Sequence, residues 1–143
     1  MDLRRLVFPR ESRYFPGQRW VNIWLRILHL IGVAGLGAGF LYPAADSTWE
    51  LYYSVTLYSG LGLSMLYTWC NGIWLVQLRG QAILLKLLLL FLIPYLPGLE
   101  IPLFLLVVVI SGLISHATAK VRYYSLFHRR RIESFYQVED FRD

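Results

Sequence analysis

Four long apolar runs, with every basic residue confined to one side of them, constrain this chain more than any other feature. The runs cover residues 20–42, 51–76, 82–96 and 99–119. The links at 43–50 and 97–98 contain no Lys or Arg. All fourteen basic residues lie in the N-terminal arm, the 77–81 link, the C-terminal tail, or the halves of the runs that adjoin them. A run of about 20 apolar residues is long enough to span a bilayer as a helix. Loops rich in Lys and Arg stay on the cytoplasmic side. The expectation is therefore an all-α, polytopic membrane protein: a four-transmembrane-helix bundle with both termini in the cytoplasm (N-in/C-in). Its expected setting is multi-pass in a bacterial plasma (inner) membrane.

Composition leads to the same place. Charged residues make up 16% of the 143 residues, against about a quarter in soluble domains, and mean hydropathy is +0.48. The spans use most of the chain and leave no room for a soluble domain. A formal charge of +5 is explained by topology and by contact with anionic lipid heads, so no nucleic-acid partner is expected. The single Cys70 excludes an internal disulfide and any CxxC metal motif. Three parts follow: a basic cytoplasmic arm at 1–19, the helical domain at 20–119, and a cytoplasmic tail at 120–143. The tail's Tyr123, Tyr124, Phe127, Phe135 and Tyr136 among its arginines suggest an amphipathic surface helix.

Ionisable groups within the apolar runs are costly and mark function. Arg26, His29, Lys86 and His116 stand out, while Glu100 at the start of the fourth run reads as a solvated link residue. At 1.5 Å per helical residue, His29 lies ~13 Å, Lys86 ~9 Å and His116 ~6 Å inside the cytoplasmic boundary. Three helices thus bring a titratable group to one leaflet. Asn22, Arg26, His29 and Gly32 share a helix face, as do Gly112 and His116. Each histidine has a glycine one turn nearer the membrane centre. A porphyrin needs an axial imidazole beside an uncrowded wall, and cations for its propionates. The candidate cofactor is haem b. His29 and His116 would be its iron ligands, and Lys86, Arg26, Gly32 and Gly112 would complete the site. The bland alternatives are helix packing through the glycines of the 32–39 stretch and snorkelling of Arg26 and Lys86 to the headgroups.

Two stretches add a family likeness. Leu28-His29-Leu30-Ile31 with Ala38-Gly39-Phe40-Leu41-Tyr42-Pro43 resembles the first helix of the HemJ-type protoporphyrinogen oxidases and of the related CopD-like four-helix membrane proteins. Lys86–Tyr95 resembles the Lys-bearing third helix of the HemJ group. The resemblance implies His29 and Lys86 as a functional pair and implies haem binding, with electron transfer or porphyrin oxidation as the activity. Two rival readings come from the residues themselves. One is a non-enzymatic accessory or assembly subunit, whose aromatic and small-residue faces meet other membrane subunits. The other is a quinone- or lipid-binding protein.

Overall fold

A computed structural model describes residues 7–9, 11–42 and 48–133. The fold is all-α but for one two-residue ladder. Helix α1 runs Gln18–Leu41 and α2 Thr48–Asn71. A 3-10 segment at Gly72–Val76 turns the chain into α3, Leu78–Leu92, which a second 3-10 turn extends to Tyr95. Helix α4 is Glu100–His116, and a single turn, α5, follows at Ala119–Arg122. The antiparallel strands β1 (Tyr124–Ser125) and β2 (Arg130–Arg131) close a hairpin.

The α1–α2 pair has the most extensive contact in the molecule, and its cause is legible in the glycines. A Cβ on Gly32 would fall 2.5 Å from Thr56 Oγ1, one on Gly35 would overlap the Tyr52 ring, and one on Gly39 would lie 2.8 Å from Trp49 Cβ. Three glycines at helical spacing on α1 therefore receive three side chains of the antiparallel α2. Small residues let the backbones approach closely. The α1 stripe is thus occupied by helix packing, and Gly32 offers no flat wall to a ligand.

Leu36, Leu90, Ile93 and Phe104 form the buried core of α1, α3 and α4, with Phe40 and Trp49 packed around them. That core lies toward the end where α1 meets α2. The opposite end gathers the other connections. Val7 packs on Gly72, Arg13 N donates to Cys70 O (2.9 Å), and the buried Gln77 side chain donates to Ile132 O (2.6 Å). The N-terminal arm, the α2–α3 turn and the tail hairpin thus meet at one end.

Two differences from the sequence-based expectation have physical reasons. Among the described residues two helices are long and apolar enough to cross a membrane, Gln18–Leu41 and Leu78–Tyr95. Helix α2 is long but diluted by Tyr, Thr, Ser and Asn, and α4 is apolar but only 17 residues long. The tail up to Glu133 is a hairpin rather than an amphipathic helix. Ile132 is buried, and Ser125 is sealed beneath the loop with its Oγ 3.2 Å from His128 Nδ1. Those anchors hold the strands against the α2–α3 turn. Phe135 and Tyr136 lie outside the described residues.

Candidate functional site

Between the core and the basic end, a cavity of about 370 Å³ opens among α1, α2, α3 and α4. His29, Lys86, Gly60, Ser64, Tyr67 and Ser111 line it, with apolar side chains including Val33, Leu63, Leu87 and Val107. Gly60 is why the imidazole fits. The site of a Cβ there lies 3.2 Å from His29 Cε1.

Hydrogen bonding fixes the imidazole. His29 Nδ1 lies 3.1 Å from Thr56 O and 3.1 Å from Ser59 Oγ. A backbone carbonyl can only accept, so Nδ1 carries the proton. The Ser59 hydroxyl turns its own proton to Val55 O, 2.5 Å away, which leaves its oxygen free to accept. In the neutral ring Nε2 is then a bare acceptor. A carbonyl partner on the far nitrogen is also the arrangement that orients ligating histidines.

Lys86 is held from the opposite side. Its Nζ donates to Ser111 Oγ at 3.0 Å, and Ser111 donates to Val107 O at 2.8 Å. The other hydroxyls around the cavity are committed to helix carbonyls: Thr56 to Tyr52 O (2.7 Å) and Ser64 to Gly60 O (2.8 Å). Such back-bonding is how Ser and Thr satisfy themselves within a helix. Tyr67 donates to Asn22 Oδ1 (3.1 Å) and accepts from the Arg26 guanidinium (2.5 Å). What remains for a guest is one acceptor, His29 Nε2, and one amine, Lys86.

The other residues singled out in the sequence fall elsewhere. Arg26 is exposed and reaches the site only through Tyr67. His116 is exposed at the end of α4 and does not line the cavity, and Gly112 faces open space. The structure therefore brings His29 and Lys86 together and leaves His116 and Gly112 apart. Among the described residues no group of three His, Cys, Asp or Glu side chains is placed to hold a metal ion. Cys70 Sγ accepts from Gln18 Nε2 at 2.9 Å, a structural role. Sequence reasoning missed Tyr67 and Ser111. The one available signal for Ser111 was its standing as a hydroxyl in an otherwise apolar stretch of α4.

No protein-family model, no curated protein and no solved structure matches this chain.

Proposed function

We propose that the chain is a multi-pass membrane protein, N-in and C-in, that binds a flat, apolar, membrane-dissolved ring compound in the His29–Lys86 cavity. The observation that carries this is the pairing of a lone acceptor and a lone amine, from different helices, in an otherwise apolar cavity. Few convergent polar groups in an apolar hollow are the mark of a ligand site. The membrane setting is supported by burial: only 17% of each candidate span is covered by the rest of the molecule. Helices this apolar and this bare need lipid around them.

A porphyrin is the favoured guest. The donor set fits one axial ligand, His29, whose Nδ1 is already held by Thr56 and Ser59. Lys86 would pair with a carboxylate of the ring. His116 does not line the cavity, so the reading is one imidazole rather than two. Bound there, a haem would supply one-electron chemistry. The protein's own part is to orient the ring through His29, to hold a positive group at Lys86, and to exclude water. The resemblance of the His29 and Lys86 stretches to the HemJ-type proteins points the same way. A quinone head group, smaller than a macrocycle, is the second reading, supported by the closure of the α1 glycine face by Thr56, Tyr52 and Trp49.

The test is a haem titration of the detergent-solubilised protein followed by its Soret absorption. A saturable shift in the wild type that is lost in His29→Ala supports the porphyrin reading. Absence of a shift in the wild type refutes it, and Trp fluorescence quenching by a short-chain quinone would then favour the second.

A further inference from the structure

A second hollow lies on the outside of the bundle, at the basic end, and neither the cavity nor its guest accounts for it. It runs between α3 and α4 for about 340 Å³. Leu78 and Leu85 form one wall, Ile110 and Leu113 the other, and Leu126 of the hairpin loop closes one end. Gln81 is its one polar lining residue. A groove of this kind fits a hydrocarbon chain.

The hairpin that supplies Leu126 brings arginines to this end, where Arg79 and Arg131 both approach the Tyr123 ring. Arg79 follows Leu78, and its guanidinium stands 4.8 Å from the Tyr123 ring centre. Arg130 pairs across the hairpin with Ser125, the residue before Leu126. Arg122 belongs to α5, which packs on α3, and its Nε is buried without a partner among the described residues. Arg129 holds φ at 51°, a left-handed conformation that Gly or Asn adopts more readily. The sequence from Ile101 to Ile132 contains no acid, and Glu133 is paired with Arg131. At the tip Phe127 is 77% exposed.

From this juxtaposition we propose that the α3–α4 groove seats one acyl chain of an anionic phospholipid, with the lipid phosphate held by Arg79, Arg122 and Arg130. The proposal rests on the membrane-spanning reading but not on the haem reading. A hydrocarbon groove ending in arginines matches a lipid in both its parts. An acidic protein segment would match only the arginines, and an apolar helix only the groove.

The experiment uses the full chain. Carbonate extraction of membranes comes first. A chain that is extracted sinks the membrane reading itself, whereas a retained chain goes on to the lipid test. The purified protein is then mixed with equal phosphatidylglycerol and phosphatidylcholine of identical chains and examined by native mass spectrometry. One phosphatidylglycerol should be retained in preference. Arg130→Gln, at an exposed position, should cut that preference about fivefold, and Arg122→Gln by a similar factor, the effect of one basic residue near the surface. Leu113→Trp, at a residue 68% exposed, fills the groove without altering charge and should abolish retention. Equal retention of the two lipids by the wild type overturns the proposal. So does loss of preference in the arginine variants with Leu113→Trp unaffected, since that pattern describes a general basic surface. Elution of each variant at the wild-type position on size exclusion verifies its fold. Arg130→Gln and Leu113→Trp carry the test even if Arg122→Gln does not fold.

Discussion

At the residue scale, the glycines separate packing from openness. Gly32 sits against the Thr56 backbone, with its N 2.7 Å from a Cβ built on the glycine. Gly112 meets nothing within 4 Å. Gly32→Ala must therefore push α1 and α2 apart and should cost about 1–3 kcal/mol. Gly112→Ala gains helix propensity and should be neutral or stabilise by up to about 1 kcal/mol. Thermal unfolding of the two variants in detergent checks this contrast. Equal effects would mean that the α1–α2 contact is wrong. The same contrast explains what the sequence made legible. His29 and Lys86 stand out because an ionisable group in an apolar run is rare and costly. The sequence does not say which histidine faces the cavity, because that depends on how α4 is rotated and where it ends. The partners of Ser111 and Tyr67 were illegible for a related reason. Those partners, Lys86 and Arg26, lie 25 and 41 residues away in the chain.

At the scale of elements, the helices followed from the apolar runs and the tail did not. The arginines and aromatics of 120–133 fit either a surface helix or a hairpin by composition alone. The choice is made by a tertiary contact, Gln77 to Ile132 O, which no local pattern announces. Gln77 also accepts from Arg79 Nε at 2.6 Å, so it joins the turn to the tail. Gln77→Leu leaves both partners unsatisfied and should destabilise this end by about 1–3 kcal/mol. Trypsin cleavage within Arg129–Arg131 should accelerate in that variant while the helices remain intact. Unchanged cleavage would show that the hairpin is held by other contacts. Helix α2 teaches a second lesson at this scale. Its hydroxyls and tyrosines lower its hydropathy, yet Tyr52, Thr56, Ser59, Ser64 and Tyr67 face α1 or the cavity while Tyr58 is exposed, and a count of apolar residues cannot separate those two environments.

At the scale of the whole molecule, the one-sided distribution of Lys and Arg matches the way the arm, the α2–α3 turn and the hairpin meet at one end. That agreement gives a topological prediction. In a Cys70→Ala background, a cysteine at Glu50 should react with an impermeant maleimide added to intact cells, and one at Glu133 should react only after permeabilisation. The reverse pattern would turn the bundle over, and labelling of both in intact cells would break the even number of crossings. The proposed site admits a sharper comparison, because His29 and His116 are alike in the sequence and unlike in the fold. Haem titration of His29→Ala and His116→Ala, side by side with the wild type, is the most direct test. His116→Ala should bind with the wild-type midpoint and Soret maximum, and His29→Ala should give no saturable shift. Binding retained by His29→Ala, or lost in His116→Ala alone, would contradict the proposed site.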